Sequence, residues 1–422
     1  MASRDRVLSL DGGGIRGLII LEILEAIEKE AGQPIKDMFD WIGGTSTGGI
    51  IALGIATGKP ISHIKEMYMR LKDQVFSGSR PYDSAPLETF LKQEFGEATV
   101  MSDIRYPRVL VTSVEGDHDP WKLHMFRSYM IINEDIEDGC EQIEEPQNHY
   151  IWEVARCTSA APSYFHPYKQ FLDGGLMSNN PTLDILTDIH QFIKPLPQMQ
   201  NAEKNDSPLP QMQNADRNDS PLPKMRNAER NDSPWPKVQN ADKNYKPLSK
   251  MQNGDKNDPP LPQPLQNADK EDIKVDDADA AKSQMIVEVP VRYLDVVVSV
   301  GCGYSNYVKQ STPDPHWPDL SDMIRHPQET YRLLTETKRF FKNLLEQVSI
   351  SYGQPTHRAR AFCKLMNVPF YRFSPLLSEN VPLDCVDEER IERMLQDTNS
   401  YIEDPKNRQR IKELAARLKR FQ

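Results

Sequence analysis

VLSLDGGGIRGLIILEILEAIEKE, residues 7–30, is the stretch whose reading decides the fold. Val7 to Leu10 is a short apolar strand, a glycine turn follows, and from Leu18 to Glu30 the large apolar side chains recur at helical spacing. The pattern then repeats. Met38 to Ile42 is a second apolar segment, and Gly48 to Ala56 opens another helix. Val109 to Val114 is a strand with little polarity, as expected of a sheet covered on both faces. Such alternation predicts an α/β fold with a central, mostly parallel sheet flanked by helices.

With 422 residues, the chain is long enough for two average domains, or for one large domain with extra material. Its hydrophobic share of 38% is low and its 33 prolines are many. Both trace to one segment. From Pro195 the units PLPQMQNAEKNDS, PLPQMQNADRNDS and PLPKMRNAERNDS follow one another with a period of 13 residues, and weaker copies start at Pro234, Pro247 and Pro260. A unit so short, with so few large apolar side chains, cannot repay the entropy of folding, so residues 195–285 are expected to be a disordered, extended insertion. Order is expected to return at Leu294 to Val300 (LDVVVSV), followed by Gly301-Cys302-Gly303, with helical patterns from Tyr331 to Ser349 and from Asp387 onward. The strand after the repeats should complete the same sheet. Residues 5–192 and 290–422 are then one domain with an insertion, an arrangement that adds little closure entropy.

The net charge of -11 argues against nucleic acid as a partner, because phosphate neutralisation needs a basic face. Five widely spaced cysteines without a C-x-x-C pair suit free thiols in a reducing compartment. No apolar run approaches the roughly 18 residues of a membrane span, and MASRDRVLSL lacks the apolar region of a signal peptide. The expected setting is the cytoplasm, with peripheral association at membrane surfaces.

Three motifs carry chemistry. In Asp11-Gly12-Gly13-Gly14-Ile15-Arg16-Gly17 the glycines let several backbone N–H groups converge near a helix N-terminus, a nest for a phosphate or a transient oxyanion. Gly12, Gly14 and Gly17 also satisfy the G-x-G-x-x-G dinucleotide fingerprint, and alone the motif does not separate the two readings. Gly44-Thr45-Ser46-Thr47-Gly48-Gly49 fits the nucleophile elbow G-x-S-x-G, which would present Ser46 Oγ at the sheet's edge and let the Thr47 N–H join the glycine loop. Asp173-Gly174-Gly175 is by itself only a turn. A dinucleotide site explains neither the serine elbow nor this last motif, and it wants an acidic residue ending the second strand, where Asp40 instead lies inside that segment.

Together, in this order, the three motifs resemble the patatin-like phospholipases, with their glycine-rich loop, G-T-S-T-G-G and D-G-G. The matching stretches LSLDGGGIRGLI, FDWIGGTSTGGI, FSGSRPYDSAPLE, FLKQEFGE, FLDGGLMSNNPTLD and VVSVGCG are similar to the catalytic domain of animal calcium-independent phospholipases A2 of group VI. The resemblance covers residues 5–192, more loosely 290–422, and not the repeats. It implies a three-layer patatin-like fold and hydrolysis of glycerophospholipid esters. It makes Ser46 the nucleophile, Asp173 the general base, and the Gly12, Gly13 and Gly14 backbone the oxyanion hole. Arg16 becomes a candidate for lipid-phosphate contact or a structural ion-pair partner, and Gly17, Gly44, Gly48, Gly174 and Gly175 support the motifs. No metal or cofactor is required. The partners implied are a phospholipid surface, a second copy of the chain and calmodulin.

Alternatives remain at this stage. A Ser-His-Asp triad is open to His190, His316, His326 and His357, which follow Asp173, although none stands in a marked turn. A non-catalytic lipid-binding scaffold could keep the fold. The acidic stretch Glu134 to Glu145 lacks the spacing of a calcium loop. Arg408 to Gln422 (RQRIKELAARLKRFQ) has basic and apolar residues at helical spacing, and either packs on its own domain or offers a face to calmodulin or a membrane.

Overall fold

The computed structural model describes residues 3–130, 146–190, 292–306, 331, 335–340 and 350–419. The 13-residue repeats, the acidic stretch 134–145, Cys140 and most of the helical pattern of 331–349 lie outside the described residues. The first described elements are β1 (Ser3–Leu10), α1 (Gly17–Ala31), α2 (Ile35–Met38), β2 (Trp41–Thr45), α3 (Thr47–Ala56), α4 (Ile61–Val75) and α5 (Ser84–Phe95). Then come β3 (Arg108–Glu115), β4 (Lys122–Arg127), α6 (Ile151–Thr158), β5 (Phe171–Asp173), α7 (Gly175–Ser178) and α8 (Thr182–His190). After the repeats follow β6 (Arg292–Val300), α9 (Gln354–Leu365), β7 (Phe370–Phe373), α10 (Glu388–Glu403) and α11 (Pro405–Leu418).

Seven strands form one sheet in the order β4-β3-β2-β1-β6-β7, with β5 on β3 off this path. The pairs β1–β2, β1–β6, β2–β3 and β6–β7 are parallel, and β4 and β5 run antiparallel to β3. The class is therefore α/β with a mostly parallel sheet, as the alternation predicts. Successive strand residues point to opposite faces, and that period of two divides the core. Leu8, Leu10, Ile42, Val109, Val111, Val296 and Val298 join the core that includes α1, α3 and α4, while Val7, Trp41, Leu110 and Val297 pack with α8 and α9. Both faces are covered, which is why these strands carry so little polarity.

Two boundaries differ from the sequence reading. The segment Met38 to Ile42 is not one element: α2 ends at Met38 and β2 begins at Trp41, running on through Gly43 and Gly44, where low strand propensity hid it. The helical pattern from Asp387 onward is two helices. Asp404 ends α10 and caps α11, accepting from the N–H groups of Lys406 and Asn407, and Pro405 at the first position has no N–H to continue a ladder.

Ile411, Leu414, Ala415 and Leu418 of α11 are buried, and the helix packs on α1. Of the readings open for this segment, the structure places its apolar face on its own domain. Cys157, Cys302, Cys363 and Cys385 are buried, and the last three are free thiols. No helix among the described residues is long and apolar enough to cross a membrane.

Candidate active site

The candidate nucleophile owes its position to a turn with no room in it. β2 ends at Thr45 and α3 starts at Thr47, leaving Ser46 alone to reverse the chain at φ 53° and ψ −121°. Only the flanking glycines allow this. A Cβ on Gly44 would lie 2.2 Å from the Gly48 carbonyl oxygen, and one on Gly48 2.3 Å from that of Leu10. A non-glycine residue held at positive φ is strained, and such strain gathers where geometry serves chemistry. Ser46 stays partly exposed at the N-terminus of a helix whose every other residue is buried.

Strand β3 brings the base to it. Its edge pairs with β2 as far as Thr112, opposite Thr45, and from Ser113 onward with β5, where Ser113 stands opposite Asp173. One strand edge thus changes partner between consecutive residues, and the ends of β2 and β5 meet there. Ser46 Oγ–H donates to Asp173 Oδ2 at 2.8 Å. The Gly175 N–H donates to the other oxygen, Oδ1, at 2.7 Å, and the Asp173 N–H donates to the Ala160 carbonyl at 3.0 Å. Burial pushes the Asp173 carboxyl up to about 6, against the opposing pull of the hydrogen bonds from Gly175 and Ser46. A poorly solvated carboxylate in contact with a serine hydroxyl has the arrangement of a general base.

The glycine loop leaves the end of β1 beside them; a Cβ on Gly12 would come within 3.3 Å of Ser46 Cβ. The expectation that all three loop glycines offer free N–H groups is corrected at one position. The Gly12 N–H donates to the Asn179 carbonyl at 3.0 Å and is spent. Gly13 and Gly14 have no such acceptor among the described residues, and the loop is pinned further along, where the Ile15 N–H donates to Leu383 O at 2.7 Å. Arg16 has no carboxylate partner among the described residues, its Nε reaching only Gly13 O at 3.4 Å. Of its two readings, the structural ion pair is not formed with any described residue.

Asp11, which opens the loop, is fully buried. Burial raises its carboxyl's pKa, and the Arg372 guanidinium opposes the rise through a two-point contact, Nη1 to Oδ1 at 2.9 Å and Nη2 to Oδ2 at 2.5 Å. Arg372 Nη1 also donates to Ser299 Oγ on β6, tying β1, β6 and β7 together beneath the loop. A buried carboxylate left without its partner costs about 3–5 kcal/mol, so the pair holds the loop's origin in place.

Sequence reasoning missed Thr112, Thr158, Asn179 and Arg372. Asn179 lies within the recognised stretch FLDGGLMSNNPTLD and could have been found by asking what faces the glycine loop; Arg372, on a four-residue strand, carries no local signal. Among the described residues no histidine bonds to Ser46 or Asp173; His63, His118 and His124 bond instead to Glu94, Asp117 and Glu115. His316 and His326 lie outside the described residues.

Comparison with known proteins points the same way as the geometry. Residues 8–186 match the family model described as patatin-like phospholipase, a span that holds the glycine loop, Ser46 and Asp173. The chain is 32% identical over 406 residues to the 85/88 kDa calcium-independent phospholipase A2 of Mus musculus, covering 95% of this chain and 39% of that protein. It is 41% identical over 192 residues to an intracellular phospholipase A2 of Caenorhabditis elegans, covering 45% of this chain and 17% of the relative. With calcium-independent phospholipase A2-gamma of Homo sapiens it shares 31% over 201 residues, 42% of this chain and 25% of the other. The chain thus spans well under half the length of these relatives.

Proposed function

The chain carries a patatin-like phospholipase domain, and from that premise we propose that it is a calcium-independent, phospholipase A2-like hydrolase that frees a fatty acid from glycerophospholipids. The observation that carries this reading is the 2.8 Å hydrogen bond from Ser46 Oγ, strained at its elbow, to the buried carboxylate of Asp173. Asp173 takes the hydroxyl proton as Ser46 attacks the ester carbonyl. The tetrahedral oxyanion is received by the N–H groups of Gly13, Gly14 and Thr47, where the N-terminus of α3 also favours negative charge. Collapse breaks the ester C–O bond and passes the hydroxyl proton from Asp173 to the departing glycerol oxygen, which releases a lysophospholipid, leaves an acyl-Ser46 and regenerates the carboxylate. Water, deprotonated by the same Asp173, then frees the fatty acid. Arg16, which pairs with no carboxylate among the described residues, is the candidate for contact with the lipid phosphate.

Vesicles of a phospholipid with different acyl chains at its two positions test this, with excess chelator present. The expected result is one fatty acid, one lysophospholipid, no loss of rate on removing calcium, and protein released from the vesicles by salt. A scaffold that merely binds lipid gives no product and leaves Ser46 unlabelled by a fluorophosphonate probe.

A cytoplasmic setting is supported by the free, buried thiols of Cys302, Cys363 and Cys385. Calmodulin and a second copy of the chain complete the proposed partners. Calmodulin would have to lift α11 from α1, exposing Ile411, Leu414 and Leu418, at a cost on the order of 5 kcal/mol. Sedimentation velocity with and without calcium-loaded calmodulin reads both, and an unchanged monomer in each condition removes both.

A further inference from the structure

The residue before an elbow ends a strand and the residue after it begins a helix, so the N–H of Ser46 belongs to neither hydrogen-bond ladder. It donates instead to Thr158 Oγ1 at 2.7 Å. Thr158 is fully buried, at the last position of α6. Its hydroxyl is used twice, because it also donates to the Thr112 carbonyl at 2.6 Å. With its proton committed to Thr112, a lone pair must face Ser46, and the direction of the bond is unambiguous.

Thr112 is the residue at which β3 passes from β2 to β5. Two residues beyond Thr158, the Ala160 carbonyl accepts the N–H of Asp173. The end of α6 therefore holds the backbone N–H groups of both members of the Ser46–Asp173 pair. We propose that Thr158 is a positioning residue for the hydrolysis, locking Ser46 in its strained conformation and setting the distance from its Oγ to Asp173. The inference rests on the reading of Ser46 as nucleophile. Valine has threonine's shape without its acceptor; in its place it would leave a buried N–H unsatisfied and remove the tie that offsets the strain. Misplacing a reacting group by about 1 Å can cost roughly 10²-fold in rate.

The test is a series at this position in the full chain, followed by steady-state kinetics and by the rate of Ser46 labelling with a fluorophosphonate. Thr158→Val is expected to lower kcat by about 10- to 100-fold, with labelling slowed in parallel and KM nearly unchanged. Thr158→Ser, which keeps the hydroxyl, should restore the rate to within a few fold. Should Thr158→Val fail to fold, Thr158→Cys, a weak acceptor of similar size, is expected to fall between serine and the wild type on one side and loss on the other. Folded Thr158→Val or Thr158→Cys with wild-type kcat overturns the inference alone, and so does a loss that appears in KM rather than kcat. A folded wild type that resists the probe sinks the reading beneath it.

Discussion

Asp173→Asn is expected to abolish hydrolysis while making the folded protein more stable above neutral pH. The amide keeps the shape of the carboxylate and an oxygen to accept the Gly175 N–H, but it cannot take a proton from Ser46. Loss of a general base typically costs about 10²–10⁴ in rate, and here no histidine among the described residues bonds to Ser46 or Asp173 to replace it. Stability moves the other way. The Asp173 carboxyl titrates near 6 in the folded chain, against about 3.9 when unfolded. Between those values the folded state holds the extra proton, so stability falls as pH rises from about 4 to 6 and stays lower above that window. About two pKa units correspond to roughly 3 kcal/mol. Melting curves should therefore place Asp173→Asn above the wild type at pH 8, with the advantage gone near pH 4. The wild-type rate should climb with pH through about 6 as the base ionises. A variant within tenfold of wild-type activity would falsify the dyad, and so would a folded histidine variant as dead as Ser46→Ala.

Gly13→Ala is expected to cost about 10²–10³ in kcat, the range seen when one oxyanion donor is lost from a comparable hydrolase. The cause is steric. A Cβ at Gly13 would lie 2.4 Å from Cys302 Cβ and 2.5 Å from its sulfur, and Cys302 is itself buried, its thiol donating to the Asp11 carbonyl. Neither side has room to yield, so the loop must shift and carry its N–H groups away from Ser46. Because the clash is with a side chain, it should be relieved by removing that side chain. Gly13→Ala combined with Cys302→Gly is expected to recover much of the rate lost by Gly13→Ala alone. Kinetics on the double variant decide the matter: no recovery would mean that the alanine harms the loop by another route.

The two variants probe different kinds of legibility. Gly13 and Ser46 could be read from local sequence, because a tight turn and an elbow each demand particular residue types at fixed spacing, whereas Asp173, in what is by itself only a turn, became a candidate through the family resemblance. The apolar runs of β1, β3 and β6, with little polarity in them, likewise announced a sheet buried on both faces. Gly12 shows where such reading stops. Its place in the loop was evident, but whether its N–H is free depends on Asn179, 167 residues away. Arg372 is further still from Asp11 along the chain, and nothing on its short strand hints at an ion pair. Thr158 sits at a helix end, where a threonine is unremarkable without knowledge of what faces it.

By itself, then, the sequence determined the α/β class, the order of the three motifs and the residue offered as nucleophile, because backbone torsion and side-chain face are set by near neighbours. Only the tertiary structure decided which groups meet. Ser46 and Asp173 come within hydrogen-bond distance because β3 exchanges one strand for another between Thr112 and Ser113, and the end of α6 closes over that junction. Strand pairing and helix docking arise from burial of apolar faces contributed by the whole chain, so no local pattern could specify that meeting point.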